Sequence, residues 1–309
     1  MTNNYAMGID AERRYEGVLS VLKPPGLTSS DVVTDLRRIF EIKRIGHAGT
    51  LDPGAAGVLL VCVGRATRLF DHLVDKKKEY IAEIEFGVST DTQDSYGQVT
   101  GECDKRVSLL ELIDILPKFT GDIEQCVPIY SAANQDGVKL YKLARAGAPI
   151  REKRRTITIY SLDVIRQTGY NRFLISILCS KGTYIRTLCH DMGVALGTYA
   201  HMRFLLRTVS GEHEVENAYS IAELRAMKEQ GILDRALIPV DASVSHIPEI
   251  RLNLDNQKKR RMLINGAEIP YGGISGSDAD ALYRIYLDDE FLGLGVADNG
   301  KLRMSLMLN

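Results

Sequence analysis

Residues 46–57 read GHAGTLDPGAAG and run directly into VLLVCV at 58–63. Four of the first twelve are glycine, so the backbone can take positive φ there and lie close to a partner with few side chains covering it. The composition predicts a tight loop with Asp52 at its middle. Pro53 fixes its own φ and biases the residue before it toward an extended backbone, so the carboxylate is offered in one geometry. The uninterrupted apolar run at 58–63 predicts a buried strand that anchors the loop to a rigid element. A plain Asp-Pro-Gly turn capping a strand has the same composition, so the rest of the chain must separate a turn from a site.

On the N-terminal side, 17–23 (GVLSVLK) predicts a strand, and residues 28–31 supply capping groups for a helix over 32–40. Beyond the apolar run, 66–75 has helical spacing. The stretch 79–86 alternates, so that Tyr80, Ala82, Ile84 and Phe86 share one face of a strand. Ser108 with Glu111, and Ser220 with Glu223, form capping boxes ahead of two helices, the second closed by Gly231. Strands are predicted at 156–160 and 172–179, the latter leading through SKGT into a helix ending near Gly197. Strands and helices interleave without a strict βαβ repeat, which predicts an α+β fold.

A chain of 309 residues exceeds a typical single core, predicting one large domain and one small one. Residues 1–16 are polar and read as a loose extension, 17–245 as the main domain, and 246–309, after a linker-like stretch at 238–248, as a small β-rich module. In that tail Asn299-Gly300 predicts a type I′ hairpin. Gly295 to Lys301 matches GxxxxGK, but Leu302 has no hydroxyl for magnesium and a hairpin surrounds the motif, which excludes a P-loop. No stretch is long and apolar enough for a membrane span and no apolar signal core opens the chain, so a cytoplasmic protein is expected. The five cysteines are odd in number and form no CxxC, as expected of free, buried thiols. The six histidines show no metal-ligand spacing.

The net charge of −1 excludes nucleic-acid binding through overall charge but not through a local patch, because screening confines each cluster to its own neighbourhood. One such patch is Lys139, Lys142, Arg145, Arg151, Lys153, Arg154 and Arg155, set against the single acid Glu152. Tyr141 and Tyr160, within or beside it, could stack bases. Shorter basic runs lie at 76–78 and 258–261.

Five segments, LSVLKPPGLTS, RIGHAGTLDPGAAGVLLVCVGRATR, KEYIAEIEFGVSTDTQD, VPIYSA and CSKGTYIRTL, occur in an order that resembles the TruB-type tRNA pseudouridine synthases. The tail is similar to the PUA-type RNA-binding module that often closes such chains. The resemblance implies a pseudouridine synthase fold, with a central mixed or antiparallel sheet flanked by helices, an RNA-contacting insertion at about 126–155, and the PUA-like domain. It implies that uridine 55 in the T loop of tRNA is isomerised to pseudouridine: the base is detached, turned and rejoined through carbon. No redox change, net hydrolysis or phosphoryl transfer occurs, so no cofactor is required. The tRNA T arm is the expected partner, with no obligatory protein partner and a monomer as the working state.

By the same resemblance Asp52 is the nucleophile, directed at either the ribose anomeric carbon or the uracil ring. Arg186, in SKGTYIR, holds it charged against desolvation. Tyr80 stacks on the flipped uracil, an aromatic contact of ~1–3 kcal/mol that offsets the cost of flipping. His47 inserts into the T loop near the vacated position, and Tyr184 and Leu205 line the pocket. Lys23 is placed among the RNA-binding residues, either at the backbone or beneath the loop. Arg68, Asn134 and Leu206 depart from the family pattern, where Lys, Lys and Arg are usual. Two other classes remain to be separated: an RNA-folding protein without turnover, and a glycosidase-like enzyme, which would need a second catalytic acid.

Overall fold

The computed structural model describes residues 15–74, 77–273 and 281–308. Most of the N-terminal extension, Asp75 and Lys76 lie outside that range. Among the described residues the main sheet has nine strands, one of them the short edge strand His213–Glu214. Its path begins with β1 (Gly17–Lys23), and β2 (Ile45–Ala48) pairs with β3 (Ala56–Val63). From β1 the order continues through β3, β12 (Ala200–Ser210), β4 (Lys78–Phe86), β11 (Arg172–Cys179) and β10 (Arg154–Gly169) to β7 (Gly121–Cys126). All these pairings are antiparallel except β12 with β3. The sheet is therefore mixed, as the α+β reading expects.

β12 enters between β3 and β4, although it follows them by more than a hundred residues. This insertion sets the segment that leads into β3 beside two later strands. Gly57 allows the approach. Its φ is +113°, and a Cβ there would lie 2.2 Å from the Arg207 carbonyl oxygen, so no other residue fits without moving β12.

Local chemistry accounts for the elements. Thr28 and Asp31 cap the helix Ser29–Phe40 reciprocally, and the boxes at Ser108/Glu111 and Ser220/Glu223 start the helices Leu109–Ile115 and Ile221–Glu229. β4 alternates as predicted, with Tyr80, Ala82, Ile84 and Phe86 buried in one core. Two expectations are corrected. Residues 64–69 form a 3₁₀ helix before the short helix Phe70–Val74, because Thr67 Oγ1 donates to the Gly64 carbonyl (2.8 Å) and tightens the turn. Strand β10 runs to Gly169, beyond the predicted Tyr160, because three register shifts let its polar second half follow β11 outward as an exposed hairpin.

The C-terminal residues build a five-stranded sheet of β14 (Glu249–Leu252), β15 (Ile269–Pro270), β16 (Leu282–Leu287), β17 (Glu290–Asp298) and β18 (Lys301–Met307), with the basic helix Gln257–Ile264 alongside. Asn299 and Gly300 have φ of 47° and 74°, the left-handed pair that a type I′ turn requires. Leu294 of this sheet and Leu308, just past β18, join Val18, Leu60, Leu69 and Leu73 in one apolar cluster, fixing the sheet to the back of β1 and β3. Arg68 donates to the Met307 carbonyl across the same junction. Among the described residues no helix is long and apolar enough to cross a membrane.

Candidate active site

Asp52 sits at the mouth of a pocket of about 330 Å³, lined by Leu51, Tyr80, Tyr184, Arg186, Leu205 and Arg207 among others. Distant parts of the chain reach it by topology. Arg207 is the register partner of Tyr80, and Leu205 of Ala82, on adjacent antiparallel strands, so their side chains share a face. Tyr184 caps the helix Ile185–Ala195 that follows β11, which places Arg186 in its first turn.

Arg186 Nε lies 2.8 Å from Asp52 Oδ2, and the guanidinium is only 4% exposed. Its other nitrogens donate to the Thr92 carbonyl (2.9 Å) and the Tyr130 carbonyl (3.0 Å), and Nη1 is 3.7 Å from Asp94 Oδ2. One buried cation thus joins the Asp52 loop, the loop after Thr90 and the start of the 126–155 insertion. Burial raises the Asp52 carboxyl above its ordinary value; Arg186 opposes this and Asp94 reinforces it. Desolvation is the largest of these effects.

Lys23 is fully buried. Its ammonium donates to the carbonyls of Pro24 (2.9 Å), Pro53 (3.2 Å) and Ala55 (2.7 Å). Of the two roles open to it from sequence, at the RNA backbone or beneath the loop, its contacts are those of the second: it ties down the backbone on both sides of Asp52, and all three donors are spent there. Desolvation lowers its pKa to about 8. His47 is also corrected in place: it stands on β2 opposite Val61 rather than within a loop, because residues 45–48 add an edge strand to the apolar β3. It does not line the pocket, and burial followed by the nearby Arg207 charge lowers its pKa. Tyr80 is 7% exposed. Burial pushes its phenol up, against a hydrogen bond and positive charge from Arg207.

Three participants were not found from sequence. Arg207 is 1% exposed; Nε donates to the Val58 carbonyl (2.7 Å) and Nη2 to the Gly49 carbonyl (3.0 Å). The signal was present, because Arg207 is two residues from Leu205 on a strand and must face the same way. Leu206, where the family pattern has arginine, pairs with Ala56 while its neighbour carries the charge. Gln125, 1% exposed, clasps Tyr184: its amide donates to the Tyr184 carbonyl (2.9 Å) and accepts from its N–H (2.8 Å). Asp94 accepts from Thr92 Oγ1 (2.7 Å) and the Tyr96 N–H (3.0 Å) through Oδ1, while Oδ2 faces Arg186. It does not line the pocket, so it is held as an acceptor rather than poised as a second acid.

In the insertion, part of the basic cluster is spent on the fold. Arg151 pairs with Asp136, Arg154 with Glu152 (2.7 Å), and Lys139 donates to the Ala132 carbonyl (2.9 Å). Asn134 is exposed in a short hairpin against Lys139. Lys142, Arg145 and Lys153 are exposed, with Arg145 over the Tyr141 ring.

Comparison with known proteins places this geometry. The family described as TruB family pseudouridylate synthase (N terminal domain) matches residues 37–185, and the tRNA pseudouridylate synthase B C-terminal domain matches 186–245. The chain belongs to the TruB family. A tRNA pseudouridine synthase B of Pelotomaculum thermopropionicum is 48% identical over 76% of each chain, and that of Alkaliphilus oremlandii is 38% identical over 92% of this chain and 93% of its own. The TruB fold extends to a solved Cbf5-Nop10-Gar1 complex, at a TM-score of 0.73 and 26% identity, covering 96% of this chain and 86% of that one. As a TruB member the chain is an enzyme, an isomerase of uridine. Its two matches meet between Ile185 and Arg186, inside the pocket wall.

Proposed function

We propose that this protein converts uridine 55 in the T loop of tRNA to pseudouridine, with Asp52 as the nucleophile. The observation that carries the reading is the pairing of Asp52 with a buried Arg186 at the mouth of a pocket walled by Tyr80, Tyr184 and Leu205. A volume of about 330 Å³ is at the small end for ligand sites, suited to one nucleoside. Such a nucleoside must be flipped from the folded T arm, and Tyr80 and Leu205 give its base an apolar seat. Arg186 keeps enough anionic Asp52 present for attack while burial strengthens its electrostatics. In this reading His47, outside the pocket on the edge strand β2, enters the RNA where the base has left. The relatives named tRNA pseudouridine synthase B support tRNA as the substrate.

The working protein is a cytoplasmic monomer that needs no cofactor, with a main domain at 17–245 and a PUA-like RNA-binding module at 246–309 that holds the remainder of the tRNA. Purified protein incubated with T-arm RNA is expected to yield pseudouridine at one position, read by mass spectrometry after chemical labelling. Release of free uracil would instead place it with base-removing enzymes, and binding without turnover would make it an RNA-folding protein.

A further inference from the structure

A second groove, of about 540 Å³, lies beside the pocket and is lined by Lys77, Thr156, Thr158, Tyr160, Ser180 and Lys181. It lies on the outer face of β10, where the strand's ordinary alternation sets Thr156, Thr158 and Tyr160 on one side, just before an irregularity in the pairing. The β10–β11 register pairs Ile159 with Cys179 and then Ser161 with Leu178, so Tyr160 is the extra residue of a β-bulge. A bulge bends its strand and re-aims a side chain. Here Ile157, Ile159 and Leu162 stay in the core while Tyr160 and Ser161 both turn outward, leaving the Tyr160 ring 43% exposed. The Lys77 ammonium stands 4.1 Å from the centre of that ring, a cation–π contact. Thr158 Oγ1 donates to Asp122 Oδ1 at 2.6 Å, so this carboxylate is engaged outside the groove lining.

The groove adjoins the active-site pocket. Lys181 lines both, and Arg155, one residue before Thr156, lines the pocket, donates to the Gly182 carbonyl (3.1 Å) and lies 5.5 Å from the Tyr184 ring. The rim between the two cavities is therefore basic. A pocket that holds one nucleoside obliges the next residue of the same strand to lie on a rim, and this rim offers cations for phosphate and an aromatic face for a base.

We propose that the groove is a second nucleotide site: it seats an unpaired nucleotide adjacent in the RNA strand to the one in the pocket. The base stacks on Tyr160, and the phosphate lies between Lys77 and Lys181. Lys77 passes from the ring to the phosphate as the base arrives, and the Thr156 and Ser180 hydroxyls meet sugar and phosphate oxygens. Because stacking accepts any base, the site adds affinity and register without sequence choice. The proposal rests on the reading of the pocket as the seat of the flipped uridine.

The test uses the full chain and a fluorescein-labelled T-arm stem-loop, together with versions of it made abasic at each nucleotide flanking the uridine. Tyr160→Ala is expected to weaken binding by roughly five- to a hundred-and-fiftyfold, the range of one stacked base, and Tyr160→Phe to restore it. Lys77→Ala should reduce the slope of log affinity against log salt by about one phosphate. One abasic substitution should cost the wild type the same factor and cost Tyr160→Ala nothing more. Wild-type affinity and salt slope in both Tyr160→Ala and Lys77→Ala, or full additivity with every abasic RNA, overturns the proposal. The two readings fail separately: turnover that ignores Tyr160 defeats the groove alone, whereas Tyr160-dependent binding without turnover defeats the pocket reading and keeps the groove as an RNA site.

Discussion

Arg207→Met removes a guanidinium from beneath the Asp52 loop and leaves a side chain of similar length. The carbonyls of Val58 and Gly49 then lose their donors. Hydrogen bonds to a charged group contribute about 1.5–3 kcal/mol each, and breaking a buried charged network by removing one partner costs about 3–5 kcal/mol. That is a large share of the roughly 5–15 kcal/mol that holds a domain folded. At about 2–4 °C per kcal/mol for a chain of this size, the melting temperature should fall by roughly 6–20 °C. A second readout isolates the charge. Arg207 depresses the pKa values of both His47 and Lys23, so its removal should raise the His47 pKa, measured by NMR titration of the imidazole. A variant that melts within a degree or two of wild type, with an unmoved His47, would refute the role given to Arg207.

Asp52 titrates above its ordinary 3.8 because burial exceeds the pull of Arg186. The raised folded pKa means that this group's stabilising contribution is present below the unfolded value and lost as pH rises through the folded one. The reaction needs the anion, so kcat/KM should fall on acidification at a pH above 3.8, and Asp94→Asn should move that limb downward. Lys23 is depressed from 10.5 to about 8, so between those values the folded state binds fewer protons than the unfolded one. Stability, read as the urea midpoint, should therefore rise by up to about 3 kcal/mol across that window, and Lys23→Met should flatten the rise. Gln125→Leu leaves the Tyr184 N–H unpaired and takes one of two donors from its carbonyl, which keeps the Leu188 N–H; kcat/KM should drop about tenfold or more through misplacement of the pocket wall, while Gln125→Glu keeps one acceptor and part of the rate.

Elements whose signals are local were readable in advance. Capping boxes act over four residues, and the alternation of β4 depends only on which face meets the core, so Ser108, Ser220 and Tyr80 were placed from sequence alone. Asp52, Arg186 and Tyr184 came from ordered motifs and Leu205 from the family resemblance, and the structure brings all four to one pocket. What escaped depends on contacts across long separations. The burial of Lys23 under its own loop needs β1 paired with β3. Arg207 needs β12 inserted between β3 and β4; read alone, an arginine in a strand is taken for a surface residue. Tyr160 stands beside the basic cluster in the sequence, whereas its groove with Lys77 and Ser180 depends on β10 pairing with β11, a contact that composition does not show.

The most direct test of the central claim is a paired measurement on Asp52→Asn, a substitution that keeps shape and removes the nucleophilic anion. The account predicts that the variant binds T-arm RNA within a few-fold of wild type and forms no pseudouridine under conditions in which wild type completes many turnovers. Pseudouridine formed by Asp52→Asn at an appreciable fraction of the wild-type rate would contradict it.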